Sequence, residues 1–383
     1  MNNKRTPIAV FAPLYPPAFR GGGPIRSISA LVKAAPECFE PLVLTCDRDL
    51  GLDSPLMVTR NQWTVSGEHM VYYATTRSPR FAIKALMALR RKRPKLLHFN
   101  GFMDPSFTII PLVLWRFGFW GKPLLLVAPR GEFGEAALRR RSRKKRAYLF
   151  LFRSFRIHKH VVWHSTAPHE TDDLRQLWGK EAVIIERGND TALDSRAMTV
   201  TQHDGPTRMV FLGRIVPHKG LAVILEALQA VRSDVEFNVY GPREDAQYFA
   251  HCKRLAATLP PNVAIAFRDA LEPDSVVQVL NQHDLFVLPT AGENFGHVIA
   301  EALSAACVVL TTPWTPWGSV LEGGGGIVVG DREASSWAPA VESQLSASRE
   351  LRFARRQAAG EAFERWAAEE APPHVWTLAL ERA

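Results

Sequence analysis

Four side chains in the second half of the chain stand where they could meet one polyanionic ligand: Arg214 and Lys219 in FLGRIVPHKG, and Glu293 and Glu301 in GENFGHVIAEAL. Arg214 leaves an apolar run and Lys219 precedes an amphipathic helical pattern, so two cations converge on one helix start. They repel each other unless something negative lies between them, and a diphosphate has that charge and size. Gly213 and Gly220 permit a close backbone approach. An unbroken helix carrying both glutamates would set them about 80° apart round its axis and about 12 Å apart along it. That is too far to share one proton as a dyad, and suits contacts with two parts of one extended ligand. Solvated cations, a first-turn acid and an exposed glutamate are the plain alternative for each residue alone; the four together favour the ligand.

A second segment with chemical potential is YPPAFRGGGPIRSISALVKA, where Gly21, Gly22 and Gly23 precede Pro24 at a helix start. Such a loop offers backbone N–H groups to an anion, or is simply a flexible turn. It matches neither the GxGxxG of nicotinamide enzymes nor a phosphate-binding P-loop. His98, His164 and His169 lie at or just after apolar runs of the first half, where one could act as an acid or base or be a packed or surface histidine. In RRRSRKKRAYLFLFRSFRI, residues 139–157, seven of the first eight residues are basic and aromatics follow. An anionic membrane surface, nucleic acid and a helix with one charged and one packed end all fit it.

The elements that must position these residues show as short apolar runs: 8–13, 41–46, 96–101 and 124–129 in the first half, and 209–214, 236–242, 263–269, 285–290 and 307–312 in the second. Helical stretches separate them, which predicts parallel sheets covered on both faces, with ligands beyond the carboxyl ends of the strands. At 383 residues two domains are expected, with the polar stretch 191–207 as linker. The 46% hydrophobic and 22% charged composition is that of a globular chain. Residues 1–190 hold 31 Lys and Arg against 15 acids, and the remainder 16 against 23, so the basic first half is suited to an anionic partner. Cys38, Cys46, Cys252 and Cys307 lack the spacing of a disulfide framework or zinc site, and the N-terminal apolar run is too brief for a signal peptide. Residues 105–120, broken by Pro111 and Arg116, are too short to span a bilayer and read as a buried helix, with a place at a membrane surface as the lesser alternative.

FLGRIVPHKG followed by GENFGHVIAEAL resembles the retaining nucleotide-sugar glycosyltransferases of family 4. The triple glycine and APRGEFGEAAL (128–138) are similar to bacterial surface-polysaccharide members. The resemblance implies a GT-B fold, an α/β architecture of two Rossmann-like, doubly wound parallel-sheet domains facing a cleft. Residues 1–195 would bind acceptor and 196–365 the nucleotide sugar, with 366–383 returning to the first domain. Arg214 and Lys219 would hold the donor diphosphate and Glu301 the ribose. Glu293 would grip the transferred sugar with the backbone of Asn294, Phe295 and Gly296; Gly22, Gly23 and Gly213 would approach the donor, and Arg268 would lie by the base. His98, Arg130 and His164 are acceptor-side candidates. Ala306 and Val308 stand where the family often has glycine and proline, which bears on a local turn.

The resemblance further implies no cofactor and no metal, since no Asp-x-Asp pair stands where one would be held. Partners would be a nucleotide sugar, a saccharide or lipid-linked saccharide acceptor, and an anionic membrane surface through 139–157, not nucleic acid; the location would be cytoplasmic, peripheral on the inner face of the plasma membrane. A nucleotide-sugar epimerase of related fold, or a non-catalytic basic nucleic-acid- or membrane-binding protein, are the alternatives. The first would convert donor without acceptor, and in the second some of the four charged residues would be expected to be lost.

Overall fold

Strands that are mostly apolar must be covered on both faces, and the chain supplies two sets of them in the computed structural model, which describes residues 5–134, 142–200, 202–369 and 372–382. The first set is β1 (Thr6–Phe11), β2 (Phe39–Cys46), β3 (Trp63–Ser66), β4 (His69–Ala74), β5 (Leu96–Asn100), β6 (Leu124–Ala128), β7 (Val161–Ser165) and β8 (Val183–Glu186). Among the described residues they form a sheet ordered β3-β4-β2-β1-β5-β6-β7-β8, parallel except where β3 meets β4. Right-handed crossovers send the helices Pro79–Arg91, Ile110–Arg116, Ser142–Ser154 and Pro168–Trp178 to one face. There Leu89, Leu112, Phe152 and Leu174 join Phe99 and Leu125 in one core. Helix Gly23–Lys33 covers the other face with the C-terminal helix Val375–Glu381, through Ile28, Leu31, Trp376 and Ala379. Met1–Ala192 and Ala371–Ala383 thus make up one unit, and Leu193–Glu370 the other.

The second unit holds β9 (Thr207–Leu212), β10 (Val235–Tyr240), β11 (Val263–Arg268), β12 (Leu285–Leu288), β13 (Val308–Thr311) and β14 (Gly326–Val328). Their order among the described residues is β11-β10-β9-β12-β13-β14, all parallel. The chain runs outward from β9 to β11, then starts again at β12 and runs the other way. The reversal between β9 and β12 is the place, at the carboxyl ends of the strands, where open α/β sheets bind their ligands. In the first sheet the corresponding reversal lies between β1 and β5.

Three expectations need correction. The stretch 105–120 is not a buried helix: a wide turn, Pro105–Ile109, leads into the helix Ile110–Arg116, which buries Pro111 and Leu112 but leaves Ile110 48% and Phe117 74% exposed. The polar linker is tied down, because the Met198 N–H donates to the Ser304 carbonyl at 2.7 Å and the Ala197 N–H to the Glu364 carboxylate at 3.0 Å. Finally, the units divide after Ala192 and Glu370 where the sequence reading placed the boundaries after 195 and 365, since the long helix Arg349–Ala367 carries the second unit further.

At Ala306, where the resembled family has glycine, φ is 51°. A left-handed alanine costs about 1–2 kcal/mol, and glycine gives back part of that through its freer unfolded chain. Ala306→Gly is expected to stabilise the second unit by about 0.5–1 kcal/mol in urea titration.

Candidate active site

The loops that follow β9 and β12 meet at the strand-order reversal. The Ala291 N–H donates to the His218 carbonyl at 2.9 Å, and His218 Nε2–H donates to the Gly292 carbonyl at 2.9 Å. Lys219 Nζ forms an ion pair with Glu293 Oε1, an atom that also accepts from Thr290 Oγ1 at 2.9 Å. Both partners are largely withdrawn from water, at 15% and 14% exposure. Gly220 allows this approach. Its φ is 77°, and a Cβ there would lie 2.1 Å from the Pro289 carbonyl oxygen. Arg332, which the sequence reading missed, fastens the two loops together: Nε donates to the Pro289 carbonyl at 2.9 Å and Nη2 to the Pro217 carbonyl at 2.7 Å.

Glu293 lies in the loop ahead of the helix, so the helical spacing expected between it and Glu301 does not hold. Gly296 takes φ 79° and the helix begins only at His297, running to Ser304. No single helical rise therefore spaces Glu293 from Glu301. Glu301 is not a solvated residue; it is 8% exposed. Phe295 packs against Trp317, ring centroids 5.4 Å apart, and its carbonyl accepts from the Trp317 indole N–H, so of its backbone groups the carbonyl is committed to the fold.

Arg214, 42% exposed, pairs with Glu244 at 3.0 Å, so it and Lys219 are each offset by a carboxylate of their own. Gly213 is not the glycine that closeness demands, because a Cβ there would meet only the Phe211 ring at 4.0 Å. The demand falls on Gly241, where a Cβ would lie 1.8 Å from the Gly213 carbonyl oxygen. Arg268 ends the edge strand β11 and donates to the Asn238 side chain at 3.3 Å, two strands away from β9.

In the first unit the glycine loop follows β1 at the sheet's own reversal. Gly22, at φ 68°, ends the loop as the cap of the helix Gly23–Lys33. Asp49, also missed from sequence, holds the loop's approach by accepting the Phe19 N–H at 3.0 Å and the Arg20 N–H at 3.2 Å. Arg130, just after β6, donates to Asn100 at 2.6 Å and to Asn189, and burial pushes its pKa down to about 10. His169 is exposed.

His98 and His164 have no exposed surface, which removes them as acids or bases open to an acceptor. His98 Nδ1 accepts from the Trp376 indole N–H at 3.1 Å, and His164 Nε2–H donates to the Arg187 carbonyl at 3.0 Å. Burial drives the His98 pKa well below its ordinary value and that of His164 down to about 3. Both stay neutral in the folded unit and take up protons on unfolding below a pH of about 6.5. The stability present above that pH is lost as pH falls, at about 1.4 kcal/mol per pH unit for each histidine. The urea midpoint of the first unit, followed by fluorescence of the stacked Trp163 and Trp178, is expected to be flat above pH 7 and to fall steadily from pH 6.5 to 5.

Among the described residues no group of three or more His, Cys, Asp or Glu side chains could hold a metal ion.

The family model for glycosyl transferases group 1 matches residues 206–347, which contain the loops after both β9 and β12. The match covers a group 1 glycosyl transferase domain within the second unit, not the whole chain. It is 31% identical over 164 residues to the phosphatidyl-myo-inositol mannosyltransferase of Mycobacterium tuberculosis, covering 40% of this chain and 42% of that protein. The chain thus spans about two fifths of the length of the curated relatives it matches. Over 99% of its length and 97% of the other's, the backbone is similar to sucrose-phosphate synthase from Thermosynechococcus elongatus, with a TM-score of 0.67 and 14% identity. It is also similar to Anabaena Alr3699/HepE, solved in complex with UDP-glucose, with a TM-score of 0.65 and 15% identity over 95% of this chain and 99% of that one. The fold is GT-B, and the Lys219–Glu293 pair lies within the group 1 glycosyl transferase domain.

Proposed function

We propose that the chain is a retaining, metal-independent hexosyltransferase. It moves a hexose-type sugar from a nucleotide-diphosphate donor to a lipid-linked saccharide acceptor in cell-surface polysaccharide biosynthesis. The observation that carries this reading is the Lys219–Glu293 pair, built at the strand-order reversal of a group 1 glycosyl transferase domain. That the Anabaena protein is solved with UDP-glucose, and that the mycobacterial relative is named for a phosphatidylinositol acceptor, support the donor and acceptor classes.

In this reading Arg214 and Lys219 hold the donor diphosphate, Glu301 the ribose, and Glu293 with the N–H groups of Asn294, Phe295 and Gly296 the sugar hydroxyls. Gly22 and Gly23 approach the phosphate, Arg268 serves the base, and Arg130 serves the acceptor side. The bond from the anomeric carbon to the diphosphate oxygen breaks, its electron pair leaving with the phosphate while positive charge develops on the sugar ring. The acceptor hydroxyl oxygen bonds to that carbon from the same face, and its proton passes to the departing phosphate oxygen. Cations already aimed at the leaving group lower the barrier because charge grows there in the transition state. The acceptor is met at the inner face of the plasma membrane, with 139–157 toward anionic headgroups; Arg139, Arg140 and Arg141 lie outside the described residues.

The test is turnover of UDP- and GDP-sugars with and without a lipid-linked saccharide. Nucleoside diphosphate release that rises with acceptor supports the reading, and an epimerised donor formed without acceptor contradicts it. Arg332 positions both loops, so Arg332→Ala is expected to lower donor turnover about tenfold and to destabilise the second unit by about 1–3 kcal/mol in thermal unfolding.

A further inference from the structure

From His69 to His169 the chain has 21 Lys and Arg and three acids, Asp104, Glu132 and Glu135. The two acids within the described residues are turned to backbone. Asp104 accepts the N–H groups of Ser106 and Phe107 at 2.9 and 2.7 Å, and Glu132 those of Phe102 and Met103 at 2.7 and 2.8 Å. The helices Pro79–Arg91, Ile110–Arg116 and Ser142–Ser154 in this span share one face of the first sheet.

Their outer sides are apolar as well as cationic. Of the sixteen large apolar side chains that are exposed among the described residues, eight lie on these helices or the turns that end them. Ile110, Val113 and Phe117 fall on one side of one helix, and Phe150, Leu151 and Phe155 on the next. The two sets are contiguous. The rings of Phe117 and Phe155 stand 6.5 Å apart, and Arg116 Nε donates to the Phe155 carbonyl at 3.2 Å. The third helix adds Ile83 and Met87, and joins the surface where the Arg90 guanidinium lies 4.7 Å over the Phe119 ring. Exposed cations surround them: Lys84 and Arg91 on one side, Lys122, Arg153, Arg156 and Lys159 on the other.

We propose that this three-helix face seats itself on an anionic lipid bilayer, its apolar side chains entering the acyl boundary and its cations lying at the headgroups. The inference deepens the membrane part of the proposed function and rests on it. The sequence pointed to 139–157 and, as a lesser alternative, to 105–120, whereas the fold adds the helix Pro79–Arg91 and brings the three together on one face. The side-chain chemistry selects the occupant. Ile, Val, Leu and Met partition into acyl chains and cannot stack on bases, and a nucleic-acid surface would instead interleave its cations with aromatics alone. Cations with no exposed acid between them among the described residues of this span match an anionic leaflet.

The full chain is tested by sedimentation with phosphatidylcholine vesicles that contain or lack phosphatidylglycerol. Wild type is expected to bind the anionic vesicles at least about tenfold more tightly than the neutral ones. Phe117→Asp with Phe150→Asp is expected to weaken that binding by about tenfold or more. Both sites are surface-exposed; an unchanged urea midpoint of the first unit shows that the variant is folded, and unchanged donor binding keeps the donor reading separate from this one. Wild-type-like vesicle binding by the variant overturns the proposal, as does a wild type that ignores anionic lipid or a lipid-independent dimer, seen by light scattering, that the variant dissolves.

Discussion

Lys219→Ala is expected to lower the rate of nucleoside diphosphate release by about 10²–10³-fold while the second unit stays folded. The magnitude is that of removing one preorganised donor from a developing anion, about 3–4 kcal/mol of barrier. Lys219 fits that description because its ammonium is placed before any ligand arrives. It is 15% exposed and paired with Glu293, whose other contact is the Thr290 hydroxyl at 2.9 Å. The loss should appear in kcat more than in KM, since the interaction strengthens as the bond breaks. Steady-state assays at saturating donor separate the two. A Lys219→Ala enzyme with unchanged kcat and raised KM would show that Lys219 only holds the ground state.

The largest structural effect is expected from Gly220→Ala. The residue sits at φ 77°, which costs an alanine about 1–2 kcal/mol. Its Cβ would also lie 2.1 Å from the Pro289 oxygen and 3.0 Å from the Pro289 carbonyl carbon, neither of which is a flexible side-chain end. Overpacking of this kind adds about 1–3 kcal/mol. The loop must retreat from β12 and take Lys219 from Glu293, so urea unfolding should show a loss of about 2–5 kcal/mol, with donor turnover abolished. Gly213→Ala is the control. Its Cβ would meet only the Phe211 ring at 4.0 Å, and stability within about 0.5 kcal/mol of wild type is expected.

The contrast between these glycines shows what the sequence could and could not display. Uninterrupted runs such as those of β9 and β12 were legible because a strand buried on both faces admits little else. β4 and β7 were not, because His69, Tyr72, Tyr73 and His164 interrupt the apolar pattern while being buried all the same. Lys219 and Glu293 were legible through the glycines that flank them, which mark a tight approach of backbone. Which glycine is indispensable was not, since the atom that Gly241 must clear belongs to a different strand end.

Arg332 and Asp49 were invisible for a related reason. They act on backbone groups 115 and 30 residues away in the chain, and a side chain that serves a distant carbonyl or N–H leaves no local spacing to read. The spacing of Glu293 and Glu301 misled in the opposite way. Eight residues imply a fixed helical rise only if the helix is continuous, and Gly296 interrupts it at φ 79°. His98 and His164 sit where strand ends often present catalytic groups, yet both are enclosed and neutral, and serve the packing of the first unit.

The central claim is that a nucleotide sugar binds where the loops after β9 and β12 meet, with Glu301 and Lys219 as its anchors. Calorimetric titration of the best-binding UDP- or GDP-sugar into wild type, Glu301→Ala and Lys219→Ala tests it most directly. At least about tenfold weaker donor binding is expected in each variant, with thermal unfolding showing both still folded. Donor binding by both variants as tight as that of wild type would contradict it.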